Sequence, residues 1–348
     1  MIGLEWKRLS GKLVLQQNKK MKNLEHQALL EFGYSLITDA EPDEDTLMGR
    51  VTANPLRSIL YVPGNRREWI QKCHRFGSDA IVLDLEDSVP YDEKAQARII
   101  ISEEIGALSK KVQSVWVRIN AELNELEMDL EAAMVAGISV IQLPKVFSAN
   151  SVIELDRKIS WHEGTNGIVF GKTIIAPILE TAGGIKRAYD IAVCSKRVEY
   201  LGAIVAPEGD TARALRMTVM SDSIGTESLY AREKVVVDAR AAGIKHVIGG
   251  TVTDLSPDQS LLKSFTSLNK SMGYSGTLLI HPSHVPFANE LFKHSESEVQ
   301  RAREVLQLLK GAGGRAAIRN PATGQMIDLA HARHAYWVLK ESDDFSIN

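Results

Sequence analysis

From Arg57 onward the chain alternates short apolar runs with helix-length amphipathic segments, about eight times over. The runs are SILYV (58–62), AIVLDL (80–85), SVWVRI (114–119), ISVIQLPK (138–145), TIIAPILE (173–180), VEYLGAIVA (198–206), KHVIGG (245–250) and TLLIHP (277–282). Within the second run, Ala80–Leu83 is apolar without alternation, the mark of a strand buried on both faces in a parallel sheet. Helices are predicted over 66–76, 93–107, 123–135, 149–158, 185–193, 229–242, 258–272 and 285–291, with another over 297–309. The rhythm predicts an α/β protein of the TIM (β/α)8 barrel type, which takes roughly 250 residues. An open doubly wound sheet is the competitor, and the absence of a GxGxxG fingerprint argues against it.

Two further regions flank the repeats. Residues 1–54 form an N-terminal extension: MIGLEWKRLSGKLVLQQNKKMKN is basic but has no long apolar core, so it is not a secretory signal. A helix is expected there around Leu24–Phe32, followed by the acidic turn Glu41–Thr46. The barrel domain is expected over 55–310. After Lys310, GAGG interrupts the chain, and 311–348 forms a C-terminal extension with a helix near Leu329–Leu339. A net charge of -3 gives no electrostatic footprint for nucleic acid. No apolar run reaches the roughly 18 residues of a membrane span. Cys73 and Cys194 read as reduced thiols, which places the protein in the cytoplasm.

In a barrel the C-terminal strand ends converge on one mouth. Here they carry Asp84, Glu86 and Asp87, Arg118 and Asn120, Pro144-Lys145, Glu180, Glu208 and Asp210, Asp254, and His281. Clustered carboxylates repel unless something cationic binds them. Oxygen donors without paired His or Cys favour a hard cation, Mg²⁺ or Mn²⁺, over zinc. The arginine suits a carboxylate, which it grips with two parallel hydrogen bonds. Taken singly these residues also have bland readings, as solvated acids, a structural arginine or helix caps.

RSILYVPGNR, AIVLDLEDSVPYDEKAQAR, VWVRIN, QLPKV, ILETAGGI, LLIHPSH and GQMIDLAHARHA resemble the HpcH/HpaI aldolase/citrate lyase family, in its CitE-like branch. The resemblance implies a Mg²⁺-dependent barrel that cleaves or forms carbon–carbon bonds in 3-hydroxyacyl thioesters such as citramalyl-, malyl- or citryl-CoA. It implies Glu180 and Asp210 as metal ligands, Glu86 and Asp87 as holders of waters on the ion, and Arg118 as binder of the keto acid. It also implies Arg57 and Lys72 as contacts to CoA, although a surface lysine is more often simply solvated. The general acid/base is then Asp328, delivered to a neighbouring subunit by the C-terminal extension of a homotrimer or hexamer. Among several carboxylates its pKa is expected to be raised, whereas the competing reading makes it the N-cap of the last helix.

The chain departs from the family pattern in three places. Ala206-Pro207 replaces a Phe-Gly pair ahead of the second metal aspartate, leaving Glu208 as an alternative to Asp210. His284 stands where a Gln is usual, and His294 where a Pro is usual. Other readings are a citrate lyase β subunit using an acyl carrier protein thioester, a class II pyruvate aldolase, and a non-catalytic barrel that binds CoA or a metabolite.

Overall fold

Eight strands pair in parallel in the order 5-4-3-2-1-8-7-6. The computed structural model describes residues 55–203, 209–218, 222, 224–250, 252–311 and 317–342. The expected N-terminal helix, the Ala206-Pro207 pair and Glu208 lie outside these residues. The first half of the barrel runs β1 (Ser58–Pro63), α1 (Arg67–Lys72), β2 (Ala80–Asp84), α2 (Lys94–Leu108), β3 (Ser114–Arg118), α3 (Leu123–Ala133), β4 (Val140–Leu143) and α4 (Ala149–Asn166). The second half runs β5 (Ile174–Pro177), α5 (Ala182–Lys186), α6 (Ala188–Val193), β6 (Tyr200–Ala203), α7 (Asp210–Leu215), α8 (Leu229–Ala241), β7 (His246–Gly249), α9 (Ser260–Met272), β8 (Gly276–Leu279) and α10 (Val285–Leu291).

The ladders on either side of β1 are continuous, as in Ile59 opposite Ala80 and Leu278. Between β5 and β6 the circle closes more sparsely. Among the described residues the closure includes bridges at Ile175–Val198 and Ile178–Gly202, with hydrogen bonds of 2.8 Å from Ile175 N–H to Arg197 O and from Leu179 N–H to Gly202 O.

Inward positions recur every second residue, as strand geometry requires. Ile59, Ala80, Val82, Trp116, Val140, Ile174, Ala176, Tyr200, Ile248 and Leu278 fill the barrel interior, and alternate residues face the helices. Trp116 and Tyr200 lie 4.9 Å apart across it, and the indole N–H donates to Ser114 Oγ at 3.0 Å. Burying each large aliphatic side chain contributes about 1.5–3 kcal/mol. The outer helices cover the strands through one face; α9, for instance, buries Leu262, Phe265, Thr266 and Asn269, a helical i, i+3, i+4, i+7 stripe.

Three elements differ from the expected bounds. β4 stops at Leu143 because Pro144 has no N–H and Lys145 turns into the left-handed region, φ +52°. α4 runs eight residues beyond Lys158, because Ile159, His162 and Glu163 continue its buried face, and it ends at Gly167 in the left-handed conformation. The segment expected as one helix over 185–193 is two, α5 and α6, which meet at Arg187.

The chain divides into two compact units, one of which ends at Phe292. The second unit contains α11 (Glu296–Gly311), the antiparallel hairpin of β9 (Ala317–Arg319) and β10 (Met326–Asp328), and α12 (Leu329–Glu341). The helix α11 falls in this unit because Val299 and Ala302 are buried with Ala335, Val338 and Leu339 of α12. His294 lies 5.3 Å from Trp337, ring edge to ring face, so it packs within the same unit. No described helix is long and apolar enough to cross a membrane.

Candidate active site

The mouth is built around Arg118, the last residue of β3, which lies beside Asp84 at the end of β2. The guanidinium donates from Nε to Asp84 Oδ1 at 2.6 Å and from NH2 to Asp84 Oδ2 at 2.7 Å. Asp84 is fully buried and also accepts from the backbone N–H of Glu86 and Ser88 and from the Ser88 hydroxyl. Burial opposes its ionisation, but Arg118 and these donors outweigh it and hold the carboxyl below its ordinary value. The face of Arg118 lies over the Tyr61 ring, 4.8 Å to the centroid, and Tyr61 Oη donates to Gln142 Oε1 at 2.7 Å. The NH1 nitrogen stands 2.9 Å from Glu86 Oε2 and 3.9 Å from Asp87. The Glu86 contact is ionic without hydrogen-bond alignment, which leaves that buried oxygen with no aligned donor.

The loop after β2 is pinned from below. Lys94 Nζ donates to the carbonyls of Leu85 and Glu86 at 2.6 and 3.0 Å and to Asn120 Oδ1 at 2.8 Å. A third strand end supplies Glu180, 5% exposed, whose Oε1 accepts the Lys145 backbone N–H at 2.7 Å. Burial and the neighbouring Glu86 charge push the Glu180 carboxyl up to about 7, and the Lys145 N–H only partly offsets them. Burial also raises Glu86, against the pull of Arg118 and Lys145. Asp210 opens α7, where Oδ1 accepts from Arg213 NH2 at 2.6 Å and Oδ2 lies 3.7 Å from Lys145 Nζ. The turn carrying Glu180 is held by Thr181, whose hydroxyl donates to Val146 O at 2.8 Å and accepts the Gly184 N–H at 2.9 Å. A Cβ on Gly184 would meet Val146 O at 2.2 Å, so only glycine lets the two loops approach.

Arg118, Glu86, Asp87, Glu180 and Asp210 therefore meet at one mouth. Among the described residues, no group of three or more His, Cys, Asp or Glu is gathered as a metal site. Divalent-cation binding is nevertheless compatible with the side chains present. The donors are hard oxygens, Glu180 is buried with a carboxyl held near 7, and Glu86 Oε2 is buried without an aligned donor.

Three further expected site residues make other contacts. Arg57 precedes β1, at the opposite end of the strand from the mouth, and clamps Asp79 through Nε and NH2 at 2.9 and 2.7 Å. Lys72 ends α1, exposed, 3.5 Å from Glu68. Asp328 belongs to the second unit and caps α12, accepting the Ala330 N–H at 3.0 Å and the His331 N–H at 3.3 Å. His331 Nδ1 lies 2.6 Å from Asp328 Oδ1, and the reciprocal contact to the Asp328 backbone N–H completes a capping box. In the single chain these bonds hold the exposed Asp328 carboxyl below its ordinary value, opposite to the rise expected among other carboxylates. His284 is buried and ties two mouth loops together, with Nε2 2.8 Å from Asp254 O.

Tyr61 and Gln142 were not among the expected site residues. Their inward register in β1 and β4, two residues beyond Ile59 and Val140, is the sequence signal for them.

The fold and this mouth define a (β/α)8 barrel with an acidic, arginine-bearing active-site rim. The family model described as HpcH/HpaI aldolase/citrate lyase matches residues 57–282, and the chain belongs to that family. Citrate lyase subunit beta of Leuconostoc mesenteroides subsp. cremoris is 31% identical over 285 residues, 82% of this chain and 92% of that protein. L-malyl-CoA/beta-methylmalyl-CoA lyase of Cereibacter sphaeroides is 28% identical over 313 residues, 84% of this chain and 96% of that protein. Among solved structures, CitE of Mycobacterium tuberculosis with magnesium, acetoacetate and coenzyme A superposes with a TM-score of 0.66 at 25% identity. That match covers 84% of this chain and all of the other.

Proposed function

We propose that the protein is a Mg²⁺-dependent carbon–carbon lyase. It cleaves or forms a 3-hydroxyacyl-CoA thioester of the citramalyl-, malyl- or citryl-CoA class, giving an acyl-CoA and a 2-keto acid. The observation that carries this reading is Arg118 set among Glu86, Glu180 and Asp210 at the barrel mouth. Relatives named as citrate and malyl-CoA lyases, and a CitE structure holding magnesium and coenzyme A, support it.

Glu180 and Asp210 would hold Mg²⁺ or Mn²⁺, with Glu86 and Asp87 supplying surrounding negative charge and contacts to water. When bound, the ion supplies Lewis-acid stabilisation for charge on the keto-acid oxygens. Arg118, fixed by Asp84 on one edge and Tyr61 beneath, presents NH1 toward the mouth as the donor to the keto-acid carboxylate. Cleavage beta to the thioester carbonyl leaves an enolate, which needs a proton on carbon. Asp328 of a neighbouring subunit is the residue proposed to deliver it, and in condensation to remove it. The ionised state favoured in the single chain is the one the condensation direction requires.

The acyl-CoA is a small-molecule substrate, and sharing of Asp328 requires a homo-oligomer, a trimer or hexamer, in the cytoplasm. The test is Mg²⁺-dependent turnover of citramalyl-, malyl- and citryl-CoA, with Glu180→Ala and Asp328→Ala as controls. Turnover lost in both variants supports the reading; no turnover of any thioester by the wild type overturns it. Mixing Arg118→Ala with Asp328→Ala subunits should restore activity if the site is shared.

A further inference from the structure

Lys145 has no part in the reaction just described, yet it is tied to every carboxylate proposed to surround the metal. Its φ of +52° is disfavoured for a residue with a Cβ. That conformation directs two groups of one residue at the same cluster. The backbone N–H reaches Glu180 Oε1 at 2.7 Å. The ammonium lies 2.7 Å from Glu86 Oε1, 3.2 Å from Asp87 Oδ1 and 3.7 Å from Asp210 Oδ2. The side chain is about one-third exposed, so the ammonium has a path to water. A strained backbone that persists where charge is concentrated points to a function for the strain.

We infer that Lys145 is the built-in counter-cation of the acidic mouth, and that its ammonium withdraws from Glu86 and Asp210 when a divalent cation enters. This rests on the reading of Glu180 and Asp210 as the cation's ligands. Two cations within a few ångströms repel strongly in a partly desolvated site, so lysine and metal compete for the same negative charge. The lysine keeps the carboxylates assembled before the metal arrives and sets an upper limit on metal affinity. Its backbone N–H, unlike its ammonium, stays on Glu180 in both states.

The test is binding of Mn²⁺ to the full-length protein, read from the electron paramagnetic resonance signal of the free ion. Lys145→Met should bind Mn²⁺ about fivefold tighter than wild type, a loss of competition at the upper end of a surface ion-pair's scale. Lys145→Arg keeps the charge and should stay near wild type. Lys145→Gly removes the ammonium and relieves the backbone, so tightening there guards against a folding defect in the methionine variant. Equal or weaker binding in both Lys145→Met and Lys145→Gly overturns the inference. So does Mn²⁺ binding that survives Glu180→Ala, since the ion would then lie elsewhere. Thioester turnover is scored separately: tightening without turnover keeps the role of the lysine and removes the lyase reading.

Discussion

Arg118 and Asp84 face each other through two parallel hydrogen bonds of 2.6 and 2.7 Å at the ends of adjacent strands. Asp84, the first acid of the loop, is therefore an anchor and its carboxylate is used up beneath the mouth. Arg118→Lys keeps the charge but cannot reproduce the fork, so turnover should fall about 100-fold or more with a raised KM for the keto acid in condensation assays. Asp84→Leu strands a buried guanidinium and should cost about 3–5 kcal/mol in urea unfolding.

Glu180 sets stability against function. Its folded pKa, about 7, lies above the ordinary 4.5, so the ionised form destabilises the fold, fully above pH 7. The difference corresponds to roughly 3 kcal/mol at about 1.4 kcal/mol per pH unit. Glu180→Gln keeps an acceptor for the Lys145 N–H and should unfold at higher temperature than wild type at pH 8 without metal. Saturating Mg²⁺ should raise the wild type alone and close the gap, since a ligand at 100 times its Kd adds about 2.7 kcal/mol. A lower Tm for Glu180→Gln without metal would contradict the burial argument.

Far from the mouth, Arg197 donates to Glu163 from NH1 at 2.9 Å and NH2 at 2.6 Å, and Glu163 also accepts the Gly171 and Thr173 N–H groups. Burial opposes ionisation of Glu163, but Arg197 and the two amides win and lower its pKa. Its stabilisation is therefore complete above about pH 4.5 and is lost as pH falls through the lower folded value. Unfolding free energy of the wild type should drop across that acid range more steeply than that of Glu163→Gln. At pH 7 Arg197→Met should cost about 3–5 kcal/mol.

Asp328 combines a structural role visible in the chain with a proposed chemical one, and two substitutions separate them. Asp328→Asn keeps a side-chain oxygen for the cap, so stability should change by a few tenths of a kcal/mol while turnover falls about 10²–10⁴-fold. Asp328→Ala should lose both, with about 1 kcal/mol of stability. Retained turnover in Asp328→Asn would leave the residue as a cap.

Strand positions were legible because inward and helix-facing residues are both apolar, so that Ala80–Leu83 admits few other readings. The family motifs likewise located Arg118, Glu180, Glu86, Asp87 and Asp210 at one rim. Pairing was not legible. Asp84 and Glu86 are two residues apart in one acidic run, yet the first is locked under Arg118 and the second shared with Lys145. Arg57 makes a related point: a motif says which residues travel together, while strand direction decides which end of the barrel they occupy. The partner of α11 was not legible either, because an apolar stripe such as Val299 and Ala302 does not say that α12 is what covers it.

The sparse closure between β5 and β6 lies between the strand that leads to Glu180 and the one that leads to Asp210. A cation held by both residues would act as a rivet across this seam of the cylinder. Barrel breathing and cation occupancy are then one equilibrium seen from two sides. Amide exchange at Ile175 and Leu179, whose N–H groups make the seam bonds, should slow on adding Mg²⁺, while amides in the β1–β2 ladder should hardly change.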